Sequence, residues 1–170
     1  MKKLLIVALC IAVFAVAGAW AQAKPFVAMT TDANGLGDGS FNDGVWAGLK
    51  KAETDGLATV KVLEAHAMTD YIPNLTGLAD DGAKLVFGVG FLMVEQIQEA
   101  AKNNPNTFYA GIDDTFGDDM PANLIGISYR EQEAGYLAGI VAGYMTQKYA
   151  TRSKLLNGKN VIGAVCGMDI

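Results

Sequence analysis

The loop from Asp32 to Asp43 has the residue types that hold a small polar molecule. It reads DANGLGDGSFND and follows the apolar run Pro25–Thr30. Its glycines allow the backbone to come close to a ligand, and its Asp and Asn side chains offer hydrogen-bonding groups. Phe41 lies among polar neighbours, so its ring is available to stack on a flat ligand. A capped turn with Phe41 folded onto the edge of a sheet is the alternative that these residues leave open.

Two further loops extend this candidate site. The segment GVGFL, residues 88–92, is where an apolar run turns into a helical pattern. Its glycines allow either a ligand or a packed helix to approach the backbone. Asp113 and Asp114 follow the apolar run FYAGI and deliver carboxylates that accept hydrogen bonds from two sugar hydroxyls. Because the segment DDTFGDD is acidic throughout, a solvated turn is the alternative there.

The same carboxylates raise the question of catalysis. A hydrolase that processes nucleosides or sugars would use Asp113 or Asp114 as a general base, with a raised pKa in a closed pocket. No nucleophile in the sequence has a recognisable base nearby, and no His or Cys cluster has metal-binding spacing. The loop from Asp32 fails as a calcium loop because Leu36 stands where an oxygen ligand is needed. We therefore predict a binding protein without catalytic residues, metal or cofactor, and keep the hydrolase as the alternative.

An alternation of short strands and longer helices positions these loops. The apolar and β-branched runs predict strands at Pro25–Thr30, Thr59–Leu63, Lys84–Val89, Thr107–Ile112, Leu124–Tyr129 and Asn160–Val165. The helical periodicities predict helices at Phe41–Thr54, Asp70–Ala79, Leu92–Lys102 and Glu131–Tyr144. Ser40 and Asp43 form an S-x-x-D pattern that predicts a capping box at the first helix. This strict order of strands and helices predicts an α/β fold, a doubly wound and mainly parallel sheet, whose carboxyl edge carries the ligand loops.

The first 23 residues have the pattern of a secretory signal peptide. Lys2 and Lys3 precede the uncharged apolar run Leu4–Ala19, and the sequence AQA that ends at Ala23 has the small residues of a cleavage site. A permanent N-terminal membrane anchor is the alternative, since the run approaches the length that spans a bilayer. Cys10 is poorly placed for lipid attachment because the bulky Leu9 precedes it. We expect an exported protein.

The charge balance argues against nucleic acid as a partner. The chain has 13 basic and 18 acidic side chains, a net charge of −5, and loss of Lys2 and Lys3 with the signal leaves 11 against 18, or −7. An acidic surface repels phosphate backbones. Only Cys166 remains after such cleavage, so we expect no internal disulfide and a fold held by its hydrophobic core.

Five segments occur in an order that resembles the basic membrane protein family, the nucleoside-binding receptors of bacterial ABC importers. They are DANGLGDGSFND, YIPNLTGL, GVGF, FYAGID and EQEAGYLAG. The resemblance covers nearly the whole mature chain and implies a type I periplasmic-binding-protein fold, in which two α/β lobes enclose the ligand. It implies that residues 24–130 form the first lobe, and that residues 131–170 form the crossover helix and first strand of the second.

The resemblance also implies roles for individual residues and partners for the chain. Phe41 would stack on a purine, Asp32 and Asn42 would hydrogen-bond the ligand, Asp113 would hold the ribose hydroxyls, and Phe91 would close the pocket wall. The implied protein is a monomeric substrate-binding component that delivers purine nucleosides to ABC transporter permease subunits. It would lie in the periplasm or on the outer face of the cytoplasmic membrane.

Two departures from the family pattern set further expectations. Family members are commonly lipoproteins, whereas no well-placed lipobox cysteine is found here. Family chains are also much longer, and this sequence ends shortly after the predicted strand Asn160–Val165. We therefore expect a truncated or partial product that binds nucleosides weakly or not at all by itself. A surface adhesin or immunogenic lipoprotein is the remaining alternative.

Overall fold

Strands and helices alternate along the residues that the structure, a computed structural model, describes: 23–148, 159 and 161–164. The strands are β1 (Phe26–Thr30), β2 (Thr59–Leu63), β3 (Leu85–Val89), β4 (Phe108–Ile112) and β5 (Leu124–Ile127). The α-helices are α1 (Phe41–Thr54), α2 (Tyr71–Asp80), α3 (Val94–Asn103) and α4 (Glu131–Gln147). Short 3-10 turns at Met68–Asp70 and Phe91–Met93 lead into α2 and α3.

The strands form a parallel sheet in the order β2-β1-β3-β4-β5. Val27 of β1 lies opposite Val60 of β2 on one side and Leu85 of β3 on the other. The chain therefore builds the sheet outward in both directions from β1, and the strand order reverses between β1 and β3. Ligands of such sheets bind beyond the carboxyl ends of the strands at this reversal. The predicted fold class is confirmed.

Helices cover both faces of the sheet because successive strand residues point to opposite sides. Ala28 and Val86 face a core cluster that includes Leu75 of α2 and Ile97 of α3. Met29, adjacent to Ala28, and Val89, three residues after Val86, face a second cluster with Leu49 of α1. Both faces of the central strands are thus buried, which explains why their sequences are continuous apolar runs.

The strict alternation of strand and helix fails between β4 and β5. These parallel strands are joined by residues 113–123, which contain no helix and lie directly on the sheet. A Cβ on Gly111 would lie 2.8 Å from Phe116 Cζ, and one on Gly126 would lie 2.7 Å from the Asp114 carbonyl oxygen. Glycines in the two strands therefore make room for the connection, and Phe116 packs against the core where a helix would otherwise lie.

Two predictions at the ends of the chain have different outcomes. Of the predicted strand Asn160–Val165 the structure describes residues 161–164, which form no strand. A strand needs a neighbour for its backbone hydrogen bonds, and no strand of the described residues pairs with this segment. The predicted signal peptide, residues 1–23, lies outside the described residues except for Ala23.

The chain divides into two compact units. The first runs through Ser128 and contains the whole sheet with α1, α2 and α3, and the second begins at Tyr129 and contains α4. Helix α4 begins at the predicted Glu131 and continues three residues past the predicted Tyr144. The assignment of residues 24–130 and 131–170 to two lobes of a receptor stays a prediction.

Candidate functional site

The carboxyl ends of β1 and β3 meet at the reversal of strand order. Gly90, just after β3, has φ +103, and a Cβ on it would lie 3.3 Å from Cβ and Oδ2 of Asp32, just after β1. A side chain at residue 90 would displace Asp32, and glycine adopts that backbone conformation without strain. Gly88 makes room for helix packing and not for a ligand, because a Cβ there would lie 2.8 Å from the side chains of Met93 and Ile97. Glycines in this segment thus serve helix packing and the placement of Asp32.

The start of α1 is capped differently from the prediction. Ser40 is the N-cap residue, but its side chain makes no capping hydrogen bond. Asp38 accepts from the backbone N–H of Ser40 and of Asp43 at 2.9 and 3.1 Å. The Asp43 carboxylate accepts instead from the N–H of Gly37 and Gly39, at 2.8 and 2.9 Å. The predicted capping box is wrong, because a carboxylate two residues before the N-cap reaches the free N–H groups first.

Asn42 links α1 to the candidate site from a buried position. Its side chain is 1% exposed, its Nδ2 donates to Asp32 Oδ1 at 2.8 Å and Asp38 Oδ2 at 3.1 Å, and its Oδ1 accepts from the Asp32 N–H at 3.3 Å. Burial opposes the ionisation of Asp38, yet its N–H donors hold its pKa below the ordinary value. Asn34 donates two further hydrogen bonds to the Asp32 carboxylate, one from its backbone N–H and one from its Nδ2. The Asn42 amide therefore positions Asp32, and its direct contact with a ligand stays a prediction.

Residues that the sequence analysis did not single out hold the glycine-rich loop in place. The Tyr71 hydroxyl, at the start of α2, accepts from the Ala33 N–H at 3.2 Å. Glu64, just after β2, accepts from the Leu36 N–H at 2.9 Å. Burial raises the pKa of Tyr71, so it stays protonated. The Tyr71 position opens the motif YIPNLTGL, but its spacing from the loop gave no signal of this contact.

Phe41 and Phe91 both lie partly exposed at this edge of the sheet. Phe41 is the first residue of α1 and is 38% exposed, and Phe91 opens the 3-10 turn after β3 and is 42% exposed. The loops that carry them follow neighbouring strands. Packing against the protein therefore covers only part of each ring. Stacking of Phe41 on a ligand and closure of the pocket wall by Phe91 stay predictions.

Asp113 and Asp114 have different environments although they are adjacent in sequence. Asp113 is half-buried with φ +65, and its N–H donates to the Ile127 carbonyl at 2.8 Å. Asp114 is 1% exposed, and neither carboxylate oxygen has a hydrogen-bond partner among the described residues. Burial, with a smaller contribution from the charge of Asp113, raises the pKa of Asp114 to about 7. The solvated-turn alternative is therefore wrong for Asp114, while Asp113 keeps access to the edge.

The loops at the carboxyl edge of the sheet in the first unit are acidic. The loops that follow β1, β2, β3 and β4 contain no Lys or Arg, while Arg130 follows β5 in the second unit. The acids of these loops are Asp32, Asp38, Glu64, Asp70, Asp113, Asp114, Asp118 and Asp119. Lysines and acids both lie towards the amino ends of the strands or the carboxyl ends of the helices: Lys24, Lys50, Lys51, Lys84 and Lys102 with Glu53, Asp55, Asp80 and Asp81. Lys61 lies in the middle of β2. The candidate site therefore has a negative potential that favours neutral or cationic ligands.

Within the described residues, no group of three or more His, Cys, Asp or Glu side chains is arranged to hold a metal ion. None of the helices described has the length and apolar character to cross a bilayer.

Comparison with known proteins places these residues in a family. The model of the PnrA-like ABC transporter substrate-binding proteins matches residues 25–161. A CD4+ T-cell-stimulating antigen of Listeria monocytogenes is 33% identical over 71% of this chain and 35% of its own length. The ABC transporter nucleoside-binding protein BmpA of Lactococcus lactis is 31% identical over 84% of this chain and 38% of its own length. The chain thus spans little more than a third of these relatives.

The solved structures agree with the sequence relatives. An ABC transporter solute-binding protein from Aeropyrum pernix K1 is 27% identical, with a TM-score of 0.68 over 76% of this chain and 35% of that protein. The match of the family model over most of the sequence decides the classification. This chain belongs to the Bmp family of PnrA-like ABC transporter substrate-binding proteins.

Proposed function

We propose that this chain forms one side of the ligand cleft of a receptor that delivers purine nucleosides to an ABC importer. The observation that carries the proposal is a partly exposed aromatic ring, Phe41, at an edge that also presents Asp32 and Asp113. A nucleoside has one flat apolar face and one vicinal diol, which match a ring and a carboxylate. The partners of the whole receptor would be permease subunits of the transporter.

The roles of the five residues follow from their environments. Phe41 stacks on the base, Phe91 covers its edge, and Asp113 accepts hydrogen bonds from the ribose hydroxyls. Asp32 accepts from N–H groups of the base or sugar. Asn42 acts through Asp32, because both of its amide N–H groups already donate within the protein.

The absence of basic residues from the loops after β1 to β4 indicates the charge of the ligand. A nucleotide would bring its phosphate among loops that carry carboxylates and no Lys or Arg. An unpaired phosphate in that field is repelled, whereas an uncharged nucleoside is not. The name of the Lactococcus relative, a nucleoside-binding protein, agrees with this preference.

The hydrolase alternative has one observation in its favour, the raised pKa of Asp114. A general base must reach the proton that it removes. Asp114 belongs to the β4–β5 connection, is 1% exposed and has its carboxylate against Gly111 of the sheet, so it does not meet a ligand at the surface. We therefore favour binding without catalysis, and incubation with inosine should release no free base.

The test is a titration of the chain with inosine and with its 5′-monophosphate, followed by amide NMR. One stacking face and two or three hydrogen bonds supply about 4 kcal/mol, which corresponds to a Kd of about 1 mM. We expect inosine to shift the amide signals of Gly35, Asn42, Gly90 and Asp113, and the monophosphate to leave them unchanged. Shifts confined to other residues, or equal shifts with both compounds, would contradict the proposal.

A further inference from the structure

The connection between β4 and β5 places a buried acid next to the half-buried acid of the candidate site. Asp114 is 1% exposed, and neither of its carboxylate oxygens has a hydrogen-bond partner among the described residues. A buried carboxyl group without a donor costs free energy when it is charged, and much less when it holds a proton. We propose that Asp114, while it is protonated, is a positioning residue that holds Asp113 in its ligand-accepting conformation. This inference rests on the proposed role of Asp113 as the acceptor for the ribose hydroxyls.

Asp114 packs directly against two strands of the sheet. A Cβ on Gly111 of β4 would lie 2.6 Å from Asp114 Oδ2, and a Cβ on Gly126 of β5 would lie 2.7 Å from the Asp114 carbonyl oxygen. The carboxyl group therefore lies against β4 and the backbone of the same residue lies against β5. Water can hydrate this carboxylate only if the connection lifts from the sheet.

The backbone ties the position of Asp113 to that of Asp114. The N–H groups of both residues donate to the Ile127 carbonyl, at 2.8 and 3.3 Å. Asp113 has φ +65, a left-handed conformation that residues with a side chain adopt at a cost. Such a conformation persists where the surrounding contacts fix it. When the connection lifts, Asp113 is therefore free to relax, and its carboxylate loses its orientation at the ligand edge.

The charge that acts on Asp114 comes from its neighbour in the connection. Strand β5 has no ionisable side chain, and burial raises the pKa of Tyr109, the ionisable residue of β4, to about 12, so it stays neutral. Helix α3 shares a core cluster with Phe116 of the connection. The remaining ionisable groups of the connection and of α3 are exposed, where water screens them: Asp118, Asp119, Glu95, Glu99 and Lys102. Asp113 is left as the charge next to the buried carboxyl group.

Ionisation of Asp114 favours the lifted connection. Burial, and to a smaller extent the charge of Asp113, raises the pKa of Asp114 to about 7, whereas the hydrated group titrates at about 4. Between these two values the lifted form gains on the packed form by up to about tenfold per pH unit, and above the higher value it gains no more. Affinity for a ligand at Asp113 should therefore fall as the pH rises from 5 towards 7 and then level off.

The first test needs no ligand and uses NMR of the full-length chain between pH 5 and pH 7.5. The ¹³Cγ signal of Asp114 reports its ionisation, and the ¹³Cα signal of Asp113 reports the backbone conformation. We expect both signals to change with one common midpoint. A ¹³Cα signal of Asp113 that stays constant while Asp114 ionises would overturn the proposal without the use of any variant.

The second test compares inosine affinity at pH 5 and pH 7.5 in three proteins. The wild type should lose about tenfold, and Asp114→Asn, which keeps a neutral group of the same size, should bind equally at both pH values. Asp119→Asn, an exposed acid in the same connection, is the matched control and should lose as much as the wild type. His66 is present in all three proteins, so a pH dependence caused by its titration would survive in Asp114→Asn.

The outcomes separate this inference from the proposed function. A tenfold loss that persists in Asp114→Asn contradicts the role of Asp114 and leaves nucleoside binding intact. If inosine binds none of the proteins at either pH, the proposed function fails, and the ¹³Cα profile of Asp113 still decides whether Asp114 positions it.

Discussion

The two edges of the parallel sheet differ in charge. The loops after β1, β2 and β4 at the carboxyl edge carry acids and no Lys or Arg, while the amino-terminal edge carries lysines together with Glu53, Asp55, Asp80 and Asp81. A parallel sheet aligns all of its crossover helices, so helix N-termini gather at one edge and C-termini at the other. Asp38 at the start of α1 and Lys102 at the end of α3 each match the local helix dipole. The comparison shows how one backbone polarity allows an acidic ligand edge and an edge of mixed charge in one small unit.

The largest effect is expected where the β4–β5 connection of the acidic edge packs directly on the sheet. Gly126→Val should lower the free energy of unfolding by about 3 kcal/mol, because its Cβ would meet the Asp114 carbonyl oxygen at 2.7 Å. Urea denaturation measures the change. Gly117→Ala in the same connection is the control, since a Cβ there has no neighbour within 4 Å. Equal stability of both variants would show that the connection is not packed as described.

The buried acid Asp114 should make stability depend on pH. Its pKa is raised to about 7 in the fold, so the native state favours the protonated form. The protonated carboxyl therefore stabilises the fold fully below the unfolded pKa near 4, and this contribution is lost as pH rises towards 7. We expect Asp114→Asn to flatten this dependence and to gain about 2 kcal/mol relative to the wild type between pH 4 and pH 8.

Thermal unfolding across this pH range measures the Asp114 effect. Asp119→Asn, an exposed acid in the same connection, is the matched control and should preserve the wild-type slope. A wild-type slope that persists in Asp114→Asn would assign the titration to another group.

Substitution of Asn42 tests whether its buried amide holds Asp32 in place at the ligand edge. Asn42→Ala removes the buried amide that joins Asp32 to Asp38 and should cost about 2 kcal/mol in unfolding free energy. The exposed Asn34→Ala should cost less than about 0.5 kcal/mol. Calorimetry at neutral pH compares the two. A loss of inosine affinity in Asn42→Ala without any loss of stability would instead support direct contact with the ligand.

Removal of the Phe41 ring is expected to have the smallest effect, a modest loss of inosine affinity. Phe41→Ala should weaken inosine binding by about tenfold, because one stacking face contributes about 1 kcal/mol or slightly more. Phe41→Tyr keeps the ring and should retain binding. Amide NMR titration gives both affinities. Equal binding by the alanine and tyrosine variants would remove Phe41 from the site and leave the acidic edge without its proposed base contact.

The elements were largely predictable because local signals agreed with the tertiary fold. The helix Phe41–Thr54 and the strand Thr59–Leu63 have the predicted bounds. The β4–β5 connection departed from the strict alternation because Gly111 and Gly126 let an irregular segment take the place of a helix. The capping box failed because Asp38 accepts from the Ser40 N–H that the Asp43 carboxylate would need, and Asp43 accepts from Gly37 and Gly39 instead.

The candidate site was less predictable than the elements. Sequence analysis selected Asp32, Phe41 and Asp113 from loops that topology brings to one edge. It treated Asp113 and Asp114 alike, although one is half-buried and the other is 1% exposed. It also gave no sign of Tyr71, whose hydroxyl accepts from the Ala33 N–H across 38 positions of sequence. Contacts of that separation depend on how helices pack on the sheet.

The sequence by itself determined the order of elements, the parallel sheet and the family, because periodicity and local motifs are properties of short segments. Only the tertiary structure decided which acids are buried, which amides hold them and which charges collect at each edge. Burial and electrostatic potential arise from neighbours that are distant in sequence, and those neighbours exist only once the sheet has formed.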